Sequence, residues 1–232
     1  MEFTSQMKVE LVENVGNDEG VVRAARVSTG SDLLDNSDGS IRGIIGYLMK
    51  NRHGSPFEHN SLTFRIEAPI FVFREFMRHR IGWSYNEISG RYTTLDAKFY
   101  VNDDDRKMVQ LGSGAHPNFA KGTNTLTKTV NGSIVSSAKK AWKEYQEMLH
   151  AGAAPEVART VLPVGIYSTM YATCNTRSLM AFLALRVDSE LNRFETKPLH
   201  EIEVVALGME KEFARLFPIT HHAFEINGRV SP

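Results

Sequence analysis

The stretch SLTFRIEAPIFVFREFMRHR, residues 61–80, carries the choice of fold. Leu62, Phe64, Ile66 and Ala68 alternate with Thr63, Arg65 and Glu67, and this period of two predicts a half-buried strand. Pro69 has a fixed φ and no N–H to donate, which suits the first position of a helix, here one running to about Arg80. Residues 81–90 are rich in Gly, Ser and Asn and read as a loop. Upstream, residues 17–28 (NDEGVVRAARVS) read as a helix capped by Asn17 or Asp18. Ile41, Ile44, Ile45, Leu48 and Met49 recur at helical spacing as far as Asn51, with Gly54 as a C-cap. Downstream, residues 102–132 are polar and aperiodic, which predicts a flexible insertion or lid. Within it, Asn131-Gly132-Ser133 reads as a turn. Ile134, Ala138, Trp142, Tyr145 and Leu149 predict an amphipathic helix closed by Gly152, and Pro155 and Pro163 bracket a short one. Residues 164–174 alternate as a second strand, Asn175 caps a helix through about Glu190, and residues 198–217 form the last long helix. Strands and helices are segregated, so the expected class is α+β: helices packed on a mainly antiparallel sheet in a single domain spanning 1–232.

Composition narrows the function. The 232 residues are 42% hydrophobic and 23% charged, ordinary globular usage, and the 27 Lys+Arg balance 27 Asp+Glu for a net charge of +0. That balance argues against nucleic acid or an anionic membrane as partner. No apolar run approaches the roughly 20 residues of a bilayer span, and the N-terminal MEFTSQMKVE has no secretory core, so the expected location is cytoplasmic. The single Cys174 excludes an internal disulfide or a cysteine zinc site, and its strand offers no activating base, so it reads as buried and inert.

The chemistry concentrates in REFMRHRIGWSYNEISGRY, residues 74–92. Arg78, His79 and Arg80 would fan over one helix end, an arrangement that makes sense if phosphates or carboxylates gather there, although a solvated basic helix end is the plainer alternative. Arg186 falls at helical spacing from Leu179, Phe182 and Leu183, and a desolvated arginine needs an anion or a strong acceptor. Arg177 lies nine residues earlier, on nearly the opposite side of the helix. Arg159, between Ala158 and Val161, raises the same question as Arg186. His53, Glu58 and His59 resemble a metal cluster in type, but Pro56 interrupts them and the spacing is not HExxH. Gly112-Ser113-Gly114 lacks the third glycine of a dinucleotide fingerprint, and His221-His222 reads as surface.

These residues resemble a known family. Arg78-His79-Arg80, then Asn86-Glu87 and Ser89-Gly90-Arg91-Tyr92, are similar to the signature of the flavin-dependent thymidylate synthases. VRAARVS (22–28), YLMKNRHGSPFEH (47–59), APIFVFREFMRHR (68–80), EVARTVLP (156–163) and NTRSLMAFLALR (175–186) resemble that family's blocks in its order. The resemblance implies reductive methylation of dUMP to dTMP. The carbon comes from 5,10-methylenetetrahydrofolate, NADPH is the reductant through FAD, and tetrahydrofolate leaves. It also implies a homotetramer with active sites shared between subunits, and no cysteine nucleophile. By the same resemblance Ser28, His53, Ser55, Arg78, His79, Arg80, Glu87, Asn175 and Arg177 contact FAD. Glu75, Arg78, Glu87, Ser89, Gly90, Arg91, Arg159 and Arg186 contact dUMP, with Arg186 favouring ionisation of the uracil at N3. Eight residues separate Arg80 from Ser89 where the commoner spacing is seven. A nucleotide- or RNA-binding module, stacking bases on Trp83, Tyr85 and Tyr92, is the alternative from another class.

Overall fold

The computed structural model describes residues 1–30, 37–113 and 118–232. In chain order its elements are β1 (Glu2–Thr4), β2 (Lys8–Val15), α1 (Asp18–Arg26), α2 (Asp38–Lys50), β3 (Ser61–Pro69), α3 (Ile70–Phe76), β4 (Trp83–Glu87), β5 (Lys98–Tyr100), β6 (Lys107–Leu111), β7 (Asn118–Lys121), α4 (Asn124–His150), α5 (Pro155–Ala158), β8 (Tyr167–Cys174), α6 (Thr176–Arg186), α7 (His200–Leu216) and α8 (Pro218–Ile226). This is an α+β chain. Among the described residues no helix is long and apolar enough to cross a membrane.

The four-stranded sheet has the order β2-β3-β8-β4. The period of two in β3 becomes burial: Leu62, Phe64, Ile66 and Ala68 are fully enclosed. Each large side chain so placed contributes about 1.5–3 kcal/mol. Two smaller pairings differ in direction. β1 runs parallel to β5, with Phe3 opposite Phe99, while β6 and β7 are antiparallel.

The chain forms two compact units. The first comprises Met1–Lys8, Glu67–Arg78 and Asn86–Met170. In it α4 packs on α5, and Phe99, Ala138 and Ile166 make a small core with Trp142 and Leu162 against it. The second comprises Val9–Ile66, His79–Tyr85 and Tyr171–Pro232. There α2 packs on α1 and α8, and α7 on α6 and α8. Asp18, buried in the first turn of α1, accepts from the backbone N–H groups of Ile219 and Thr220 at 2.8 and 2.9 Å and so caps α8.

Four boundaries differ from the sequence expectation. α3 stops at Phe76 rather than near Arg80, and its N-cap is Pro69 rather than a residue before it. The supposed loop 81–90 contains β4, whose Trp83, Tyr85 and Glu87 share the half-buried face. α6 ends at Arg186 instead of Glu190, since Thr196 and Asn192 donate to the carbonyls of Leu185 and Val187 at 2.9 and 2.8 Å. α4 starts at Asn124, ten residues early, with Thr123 accepting from the Leu126 N–H as its cap. Residues 102–132 therefore hold β6, β7 and two turns of helix, and Asn131-Gly132-Ser133 is helical rather than a turn. Asn102 and Asn131 bond one another there, which satisfies polar groups that sequence alone leaves to water. Gly114 lies outside the described residues. The left-handed residue after α2 is Arg52, at φ 59°, not Gly54.

Candidate active site

In the second unit, the segment after α3 is shaped by hydroxyl groups. The His79 carbonyl accepts from the Tyr85 hydroxyl at 3.0 Å, and the Ile81 carbonyl accepts from the Ser178 hydroxyl at 2.9 Å. These bonds replace those of a continuing helix. Gly82 follows at φ 68°, and a Cβ there would lie 2.1 Å from the Ser178 Oγ, so the turn admits only glycine without a shift. Arg80 is exposed on this turn.

His79 points the other way. Its ring meets Phe182 edge-on at 4.9 Å between centroids, and its Nε2 accepts from the Arg186 Nε at 3.1 Å. Burial first, and the Arg186 guanidinium second, pull its pKa from 6.5 to about 4. The imidazole is thus neutral near pH 7, and accepting at Nε2 puts its proton on Nδ1. Arg186 is half-buried at the end of α6, on the turn above Phe182.

The N-terminal end of α6 holds the other expected residues of this unit. Asn175 is its N-cap, with the side-chain oxygen accepting from the Ser178 N–H at 2.8 Å. Arg177 pairs with Glu58 and donates from Nε to the Pro232 backbone oxygen at 2.7 Å. Gly54 is buried under that guanidinium, where a Cβ would stand 2.4 Å from the Arg177 Nε. His53 is exposed and edge-on to Tyr47, and Ser55 is exposed at the start of a short 3-10 turn. Ser28 is exposed as well, donating to the Ala25 carbonyl at 2.9 Å. His222 is exposed, but His221 is not the surface residue its position suggested: it bonds the buried Glu210 at 2.9 Å.

In the first unit Glu87, Gly90 and Arg159 line one cavity of about 100 Å³ with Ser168, Ile70 and Leu95. Burial pushes the Glu87 carboxyl up, against the opposing pull of the Ser168 hydroxyl and the Arg159 charge. Gly90 lets the Arg159 stem approach, since a Cβ there would meet its Cδ at 3.3 Å. Ser89 is half-buried beside this cavity, and its Oγ accepts from the Arg91 N–H at 3.3 Å. Arg91 is exposed and pairs with Glu156 at 2.6 Å. Arg78 is exposed in the turn just after α3, donating its N–H to the carbonyl of half-buried Glu75. The structure therefore joins His79 to Arg186, and Glu87 to Gly90 and Arg159. It adds Ser178, which the sequence did not single out, places Ser168 of the alternating strand in the cavity, and pairs Glu58, weighed in the sequence as a metal ligand, with Arg177. Cys174 is buried, and burial pushes its thiol pKa up, so it carries no thiolate nucleophile at neutral pH.

The sequence model of the thymidylate synthase complementing protein family matches residues 10–219. The flavin-dependent thymidylate synthase of Streptomyces coelicolor is 53% identical over 236 residues, covering 100% of this chain and 96% of its own. The chain belongs to the flavin-dependent thymidylate synthases. A UMP/dUMP methylase from Streptomyces cacaoi, solved with 5-Br dUMP, superposes with a TM-score of 0.95 at 48% identity and full coverage of both chains. The same methylase solved with 5-Br UMP gives 0.92 at 47%.

Membership makes this chain a flavin-dependent methyltransferase, and its donor set suits a flavin. Exposed Arg80 and His53, half-exposed Arg177 and the Ser55 hydroxyl supply cations and hydrogen-bond donors for a group that carries phosphate and hydroxyls. Most residues expected at the flavin lie in the second unit, and most expected at the nucleotide lie in the first.

Proposed function

We propose that residues 1–232 act as one synthase domain that converts dUMP to dTMP in the cytoplasm. The co-substrates are 5,10-methylenetetrahydrofolate and NADPH, the flavin is FAD, and tetrahydrofolate is released. The observation that carries this reading is the full-length likeness to the methylase solved with 5-Br dUMP, at a TM-score of 0.95. Bound FAD supplies the reducing equivalents that turn the transferred carbon into a methyl group. The chain's own residues bind and orient. Arg78 and Arg80 hold flavin phosphate, with His53, Ser55, Asn175, Arg177 and Ser28 as further contacts. Arg159, Ser89, Gly90 and Arg91 take the nucleotide, Arg91 by exchanging Glu156 for phosphate, and Glu75 and Glu87 orient it. Arg186 stabilises negative charge on the uracil and so makes C5 the better nucleophile.

We further infer a homotetramer, because the family resemblance implies active sites shared between subunits. Light scattering on the eluted protein tests it, and a mass of one or two 26.1 kDa chains would sink it. The activity test is dTMP formation from dUMP with both co-substrates, with and without added FAD, and with the folate product identified. Turnover that needs FAD and yields tetrahydrofolate is expected. FAD-independent turnover, or release of dihydrofolate, would refute the reading.

A further inference from the structure

We propose that His79 is a positioning residue for Arg186: its Nε2 fixes the plane of the guanidinium that meets the nucleotide. This rests on the functional reading above and names the device that makes it work. The hydrogen bond runs from Arg186 Nε to His79 Nε2 at 3.1 Å, so it restrains rotation of the planar guanidinium about its stem. The imidazole is itself immobilised. Phe182, one turn before Arg186 on α6, packs edge-on against it at 4.9 Å, and Trp83 lies 6.4 Å away between centroids. Its backbone is pinned by the Tyr85 hydroxyl on the His79 carbonyl and by the Ser178 hydroxyl on the Ile81 carbonyl, with Gly82 making the turn. Residues from α6 and from the turn after α3 therefore bring a neutral acceptor to the Arg186 cation, and an imidazole in that place orients the guanidinium without adding the opposite charge that a carboxylate would bring.

The test compares His79→Leu, His79→Gln and His79→Asn, each alone and with Arg186→Met, at saturating FAD. Dissociation constants for dUMP come from calorimetry and folding is checked by thermal melts. A Gln carbonyl reaches the place of Nε2, while that of Asn reaches only the place of Nδ1. Loss of one hydrogen bond to a charged group makes the expected weakening for His79→Leu roughly tenfold. His79→Gln should recover to within roughly threefold of the parent, and His79→Asn should not. In the Arg186→Met background, His79→Leu should cost nothing further. The proposal is overturned if His79→Gln binds dUMP no better than His79→Leu, or if the penalty for His79→Leu persists undiminished without Arg186. Should Arg186→Met alone leave dUMP binding and dTMP formation intact, the functional reading itself fails, a result distinguishable from either of those.

Discussion

Arg186 and Glu87 are both half-buried charges: Arg186 donates to His79, while burial pushes the Glu87 carboxyl up against the pull of Ser168 and Arg159. Lysine at 186 keeps the charge but loses the planar fork and the Nε that bonds His79. Arg186→Lys should keep its fold and FAD, yet lose roughly 10²-fold in dTMP formation, the scale of removing one preorganised donor. NADPH oxidation by the bound flavin should fall far less, because that half-reaction needs no ionised uracil. Parallel loss of both half-reactions would make Arg186 merely structural. For Glu87 the sign is opposite to that of a salt-bridged acid. Its folded pKa is raised above 4.5, so ionisation costs stability, and the cost grows as pH climbs from 4.5 through the folded value. Glu87→Gln should therefore raise the melting temperature at pH 7.5, with the gain fading towards pH 4. A gain that does not change with pH would show that the carboxyl is not strained by burial.

At the scale of elements, the strand–helix–strand run β3–α3–β4 presents the signature arginines. Periodicity located β3 to within two residues, because burial on one face imposes an alternation that survives any tertiary context. It missed where α3 ends and that β4 exists. Both depend on hydroxyl groups from Tyr85 and Ser178, the latter 97 residues away in sequence from the carbonyl it serves. Gly82 is the hinge of this segment. Gly82→Ala must adopt φ near 68° and push the Ser178 Oγ aside, for a destabilisation of about 1–3 kcal/mol by urea titration. FAD affinity should drop with it, since Arg80 rides on the same turn. Wild-type stability in this variant would mean that the turn is not fixed as described.

Within the second unit as a whole, stability leans on a buried ion pair. Arg229 makes two bonds to Glu210, at 2.6 and 3.0 Å, and Phe224 lies under its guanidinium at 5.0 Å. Burial pushes the Glu210 carboxyl up, yet His221 and Arg229 together hold it below its usual value. The pair ties the end of α8 to the middle of α7. It also sets the entry of Ser231 and Pro232, whose backbone oxygens accept from Arg52 and Arg177. Glu210→Ala would strand a buried guanidinium and should cost about 3–5 kcal/mol, while Glu210→Met with Arg229→Met should cost clearly less than the two single changes summed. Chemical denaturation of the parent, Glu210→Ala, the two single Met variants and the double variant checks this, and additive losses in the Met cycle would rule out a coupled pair.

Sequence by itself determined the class, the main helices, the principal strands β3 and β8, the inert Cys174 and, through five ordered blocks, the family. These are properties of local periodicity, composition and motif, and they need no knowledge of what lies opposite. The three-dimensional arrangement alone decided that Arg78, His79 and Arg80 leave the helix and part company. Arg78 lies exposed in the turn two residues past α3, Arg80 faces solvent and His79 turns inward to Arg186, 107 residues away in sequence. It alone decided, too, that Glu87, Gly90 and Arg159 share a cavity and that residues 102–132 carry strands and helix. The physical reason is the same each time. A half-buried polar group takes whichever partner the fold brings within about 3 Å, and a local pattern of residues cannot say which partner that will be.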